Sequence, residues 1–219
     1  MGYVVNLVLD GKSAVVVGGG SVAARKIEDL LAARARVRVI AAAACAKVRS
    51  LADQGLITGE WRPYAAGDLE GALLAIAATG DESVNARVAA DAQARNILVN
   101  VVDQPALCTF TLPAVMRRGD LAIAVTTNGR CPSLSAVLRD EIMERYGPEY
   151  REVAELFGQL REEMIALGWD GRRIMQAVSQ MYRSGIAGMV KAADRALLRE
   201  FLRARLGPEF PLPLRSEGR

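Results

Sequence analysis

Gly18, Gly20 and Ala23 stand in the stretch SAVVVGGGSVAARK, Ser13 to Lys26, as a G-x-G-x-x-A pattern. The pattern follows the short apolar, β-branched run Ala14 to Val17 and opens what reads as a helix, the setting in which such glycines cradle a dinucleotide pyrophosphate. Gly18 permits the tight strand-to-helix turn, Gly20 lets the anion approach the backbone, and Ala23 lets the helix lie close on a sheet. Free N–H groups at the helix start, around Ser21 and Val22, would face the phosphates. The plain alternative is a strand-turn-helix corner with no ligand.

Histidine is absent from all 219 residues, which removes imidazole bases, Ser-His-Asp triads and His-ligated metals together. Acid–base chemistry is left to carboxylates, Lys, Tyr, Cys or water. Three widely spaced cysteines, Cys45, Cys108 and Cys131, form neither a disulfide framework nor a metal-ligand spacing, so no metal site is expected. Cys131 beside Pro132 reads as a small loop residue. A net charge of +3 from scattered basic residues makes no case for nucleic acid. Asp10 and Lys12 interrupt any leader-like opening, and no apolar run is long enough to span a bilayer, so a cytoplasmic protein without membrane or nucleic-acid partners is expected.

The elements that must position the glycines follow from periodicity. Val22, Ile27, Leu30 and Leu31 form a helical stripe with Ser21 as its N-cap, and Arg36 to Ile40 alternates as a second strand. Ala46 to Gln54 reads as a helix, Ile57 to Tyr64 and Ala72 to Thr79 as strands three and four, Glu82 to Ala94 as a helix and Ile97 to Val102 as strand five. Strand and helix alternating in this way predict a doubly wound, Rossmann-like parallel sheet with ligands at the carboxyl ends of its strands. Three loops converge there: Gly18 to Val22, Thr79 to Asp81, and Asn100 to Gln104. Thr79 is a cofactor candidate because it ends a strand beside the glycines, its alternative being a simple helix-entry hydroxyl. No acid follows the second strand, where IAAAA stands at Ile40 to Ala44, so a ribose must be held by backbone or from elsewhere, or the site is not a nucleotide site. Arg38 lies inside a strand and reads as solvent-facing, so it does not argue for a 2′-phosphate.

After Pro105 the rhythm changes. Thr109 to Met116 and Leu121 to Thr127 read as a hairpin about Arg117 to Asp120, Ser133 to Tyr146 as a helix with the stripe Leu134, Val137, Leu138, Ile142 and Met143, and Glu149 to Leu206 as helices throughout. Met164, Met175, Met181 and Met189 fall on those helices as core or dimer packing. The expected domains are 1–112, a dinucleotide-binding domain; 113–147, a dimerisation segment of hairpin and helix; 148–207, an α-helical domain; and 208–219, a frayed tail.

With these pieces placed, the chain resembles the precorrin-2 dehydrogenase and sirohydrochlorin ferrochelatase family, the front module of sirohaem synthases. The matching stretches are GGGSVAARK at Gly18, AIAATGDESVN at Ala75, NVVDQP at Asn100, FTLPA at Phe110 and AVTTNGRCPSLSAVLRDEI at Ala124. The family also lacks an acid after the second strand. The resemblance implies oxidation of precorrin-2 to sirohydrochlorin with NAD⁺, Fe²⁺ as the substrate of a second, chelating activity, and a homodimer. A dehydrogenase without chelation is the rival within the fold. A Rossmann regulatory module is the rival outside it, and leaves NVVDQP and TTNGRCPS without a purpose.

On this resemblance Asp103 matches the family's essential aspartate. One carboxylate at a strand end can take the proton released on dehydrogenation and the pyrrole N–H protons displaced by a metal; the other use of such a residue is to cap the turn before Pro105. Gly18, Gly20, Ser21 and Val22 would meet the pyrophosphate, and Ala42 and Ala43, by family position, the adenosine. Asn100 and Thr127 match substrate positions. Arg130, with Arg117 and Arg118, could pair with the carboxylates of a tetrapyrrole, or stay solvated as loop charges.

Overall fold

A computed structural model describes residues 2–213. The chain divides into two compact units, Met1–Leu112 and Pro113–Arg219.

In the first unit, strands β1 (Ser13–Val17), β2 (Arg36–Ile40), β3 (Thr58–Glu60), β4 (Leu74–Ala77) and β5 (Leu98–Val101) alternate with helices α1 (Ser21–Ala32), α2 (Ala46–Asp53) and α3 (Glu82–Ala94). All four strand pairings are parallel and the order is β3-β2-β1-β4-β5. Side chains alternate across the sheet, so two cores form. Ala14, Val16, Val37, Val39 and Ile76 pack beneath Ile27 and Leu30 of α1 and Val48 of α2. Val15, Val17, Ala75, Ala77 and Val99 pack against Val88, Ala89 and Ala92 of α3. Strands buried on both faces read as continuous apolar runs, which is why VVV and LAIA carry no polar residue.

The third strand is shorter than Ile57 to Tyr64. After Glu60 the Arg62 N–H turns back onto the Glu60 carbonyl, and Pro63 has no N–H to continue a ladder. The Arg38 side chain is half-buried instead of solvent-facing. It donates to Glu60 at 3.2 Å and to the Asp68 carbonyl, inside a cluster where Arg62 holds the buried Asp68 carboxylate at 2.7 and 2.8 Å. Ser21 is the first helical residue, not the cap: Gly20 occupies the cap position and no side chain bonds across it. Tyr3, Val4, Val5 and Val8 are exposed and join no strand.

In the second unit, β6 (Ala114–Arg118) and β7 (Leu121–Val125) form an antiparallel hairpin, followed by α4 (Pro132–Arg145) and four helices, α5 (Tyr150–Ala166), α6 (Gly171–Arg183), α7 (Ile186–Lys191) and α8 (Arg195–Leu206). The hairpin loop is only Gly119-Asp120, with Gly119 at φ +59°, because Arg118 pairs directly with Leu121. Its first strand starts late, since Thr109 and Phe110 are bonded to the Val99 carbonyl instead. Leu160, Met164, Met181, Ile186 and Leu202 fill the helical core, while Met175 is exposed. The segment expected as a frayed tail is anchored at its start. Phe210 is buried edge-on to Trp169, 6.1 Å between ring centres, and residues 214–219 lie outside the described part.

Candidate functional site

The glycine loop is built by steric necessity. Gly18 has φ +122°, and a Cβ there would collide with the Ala78 carbonyl at the end of β4; a Cβ on Gly19 would collide with the Ala43 carbonyl after β2. Hydrogen bonds lock the three strand ends together: Gly18 N–H to Ile40 O at 2.9 Å, Cys45 N–H to Gly19 O at 2.8 Å, and Ala78 N–H to Val17 O at 2.8 Å. Gly20 has nothing within 4 Å of where its Cβ would stand. Gly18 and Gly19 therefore close the backbone, and Gly20 faces open space. The fingerprint pattern passes over Gly19; its only sign in the sequence is that the glycines stand three in a row.

No side chain caps the start of α1, and its first turn holds no acidic residue. The partial positive charge of the helix start is thus left for an anion, and Ala23 is fully buried where the helix meets the sheet. Ala42 and Ala43 are exposed in the next loop, with no carboxylate between Ile40 and Ala46. These features fit a dinucleotide phosphate group. Arg38 is engaged with Glu60 and Asp68, as described above, and is not available to that loop.

Thr79 behaves as the helix-entry hydroxyl of the alternative reading, bracing the loop before α3. Its Oγ1 donates to Asn85 Oδ1 at 2.7 Å, within reach of the Asp81 carbonyl at 3.0 Å, and accepts the Asp81 N–H at 3.1 Å. Asp81 then caps α3, its carboxylate held below the usual range by the Ser83 hydroxyl and by the Val84 and Ser83 N–H groups.

Asp103 follows β5 in the left-handed region, at φ +60°, and is exposed. The tie from Val102 N–H to Ala77 O, at 2.9 Å, sets this loop beside the end of β4. Among the described residues the Asp103 carboxylate has no hydrogen-bond or ion-pair partner. A free carboxylate at the mouth of a parallel sheet can accept a proton from a bound substrate. Asn100 is less free: its side-chain amide donates to the Phe110 carbonyl at 3.1 Å.

The remaining candidates belong to the second unit. Thr127 Oγ1 accepts the Cys131 N–H at 2.9 Å and lies 3.3 Å from the buried Ser135 hydroxyl, so it secures the loop leading into α4. Arg118 donates to the Tyr146 and Met143 carbonyls at the end of α4, whereas Arg117 and Arg130 are exposed. No cluster of three His, Cys, Asp or Glu residues suited to a metal occurs among the described residues, and no helix among them is long and apolar enough to cross a membrane.

Comparison with known proteins gives consistent matches. Residues 5–114 match a family described as putative NAD(P)-binding, and residues 118–145 match the central region of sirohaem biosynthesis proteins. A siroheme synthase from Ectopseudomonas mendocina is 37% identical over 94% of this chain and 44% of its own length. One from Methylococcus capsulatus is 45% identical over 68% of this chain and 32% of its own. The chain thus spans less than half the length of these curated relatives. A solved structure of SirC, a precorrin-2 dehydrogenase, superposes with a TM-score of 0.74 over 93% of this chain and 98% of that one, at 24% identity, and shares the fold.

Proposed function

We propose that this chain, which belongs to the sirohaem-biosynthesis family of NAD(P)-binding proteins, oxidises precorrin-2 to sirohydrochlorin. The observation that carries the reading is the meeting of the uncapped start of α1 and the free carboxylate of Asp103 at one end of one parallel sheet. A nicotinamide dinucleotide held there would supply the hydride acceptor.

Gly20, Ser21 and Val22 bind its pyrophosphate through backbone N–H groups, and Gly18, whose own N–H is held by Ile40, makes the turn that brings them to it. Ala42 and Ala43 lie beside the adenosine, and the Thr79 backbone stands at the next strand end. NAD⁺ is the form proposed, since of the two arginines on β2 Arg38 is held by Glu60 and Asp68, and Arg36, at the start of the strand, donates to the Gly11 carbonyl. Asp103 accepts the proton that leaves the macrocycle as the hydride departs, which completes a two-electron oxidation without histidine. Asn100, with its side-chain carbonyl oxygen, is the proposed substrate contact of the first unit; Thr127 and Arg130 are proposed as substrate residues of the second unit, each by itself. Insertion of Fe²⁺ into sirohydrochlorin is a second proposed activity, in which the same carboxylate would take pyrrole N–H protons.

A homodimer through the hairpin and α4, residues 113–147, is the proposed assembly. Leu134, Val137 and Leu138 are exposed together on one face of α4 of the single chain, and this stripe supports it.

The test is anaerobic incubation with precorrin-2 and NAD⁺. Sirohydrochlorin's absorbance should appear with an equal amount of NADH, and Fe²⁺ should shift the spectrum further if the protein chelates. A chain that binds NAD⁺ but leaves precorrin-2 unchanged would be a regulatory module.

A further inference from the structure

We propose that Cys108 is a positioning residue for Asp103, its thiol holding the loop that carries the carboxylate. This rests on Asp103 being the proton acceptor, as proposed above.

Strand β5 is an edge strand, with β4 on one side only. The N–H groups of Leu98 and Val102 turn toward β4 and reach the Leu73 and Ala77 carbonyls, which leaves those of Val99 and Val101 on the open edge. Among the described residues no sixth strand covers them. The returning segment does so with side chains: Thr109 Oγ1 takes the Val99 N–H at 2.7 Å, and Cys108 Sγ takes the Val101 N–H at 3.1 Å. The same sulfur lies 3.3 Å from the Val101 carbonyl and 3.5 Å from the Gln104 carbonyl, with the Asn100 amide at 3.6 Å. One thiol therefore touches backbone two residues before Asp103 and one residue after it.

That placement matters because, among the described residues, nothing holds Asp103 by its own carboxylate. Its direction is set by backbone alone, in a left-handed conformation that a non-glycine residue keeps only when its surroundings impose it. Backbone bonds from Gln104 N–H to Val101 O at 3.3 Å, and from Cys108 N–H to Pro105 O at 3.1 Å, close the rest of the loop. Sulfur suits the task, because its longer bonds and diffuse lone pairs let one atom accept from Val101 while its proton is shared between two carbonyls. Within the sequence Cys108 shows only as one of three scattered thiols.

The test uses the full chain with precorrin-2 and NAD⁺ under anaerobic conditions. Cys108→Ala should lower kcat at least about tenfold, with KM and affinity for NAD⁺ changed by less than about twofold, because the glycine loop is untouched. Cys108→Ser, which restores a donor and an acceptor, should recover kcat to within about threefold of the parent. Placed on Asp103→Asn, Cys108→Ala should cost no further rate, since it acts through the missing carboxylate. Should the alanine variant fail to fold, Cys108→Val fills the space without hydrogen bonding and carries the same expectations. Parental kcat in the alanine or valine variant, or an undiminished loss on the Asp103→Asn background, would overturn the proposal while leaving Asp103 in its role. Full activity of Asp103→Asn alone would overturn both.

Discussion

The carbonyl oxygen of Ala78 occupies the space that a Cβ on Gly18 would need, so the end of β4 and the turn after β1 are in van der Waals contact through a missing side chain. Two glycines of one pattern therefore carry different burdens. Gly18→Ala meets both a backbone collision and a φ of +122°, and should destabilise the chain by about 2–4 kcal/mol. Gly20→Ala meets open space, and should change stability by less than about 1 kcal/mol while weakening NAD⁺ binding, because the methyl would stand where the phosphate approaches. Denaturant unfolding paired with NAD⁺ titration checks both. Equal destabilisation by the two substitutions would contradict the assignment.

A second expectation concerns acid stability. Asp68 is buried, and the Arg62 guanidinium, in a two-pronged hydrogen bond, holds its carboxyl below the ordinary value of 3.8. A carboxylate with a depressed folded pKa contributes stability that is complete above its unfolded pKa and is lost as pH falls through the folded one. Arg62→Ala removes the guanidinium that is hydrogen-bonded to the Asp68 carboxylate and should cost about 1–3 kcal/mol at pH 7. The gap between parent and variant should then shrink as pH drops below 3.8. Unfolding curves from pH 7 to pH 2 measure it, and a constant gap would show that the pair has no such role.

Much of this architecture is legible in the chain, for reasons that can be named. Val15, Val17, Val37 and Val39 announce strands because burial on a parallel sheet demands β-branched side chains, and the glycine run announces the turn because no other residue fits against Ala78 and Ala43. What stayed hidden depends on side chains reaching backbone across a fold. The third strand stops at Glu60 because of a local turn. Arg38 is drawn inward by Glu60 and Asp68, residues 22 and 30 positions away. Asn100 on β5 and Cys108 on the segment that returns beside it tie the two together, and no periodicity encodes that return.

The exposed stripe on α4 gives a third expectation. Val137 is 54% exposed and Leu138 is 37% exposed, on a helix that packs against the two-stranded hairpin of its unit. If a second copy covers the stripe, Val137→Glu should convert a dimer to a monomer in sedimentation at micromolar concentration, because a carboxylate cannot be buried there without a partner. A parent chain that already sediments as a monomer would contradict the proposed assembly.

The most direct measurement is the turnover of Asp103→Asn. The substitution keeps the shape of the loop and removes only the ability to take a proton. Precorrin-2 oxidation should fall about 10²- to 10⁴-fold, while NAD⁺ binds with its parental affinity at the untouched start of α1. Parental turnover by Asp103→Asn would contradict the assignment of the carboxylate as the base of this reaction.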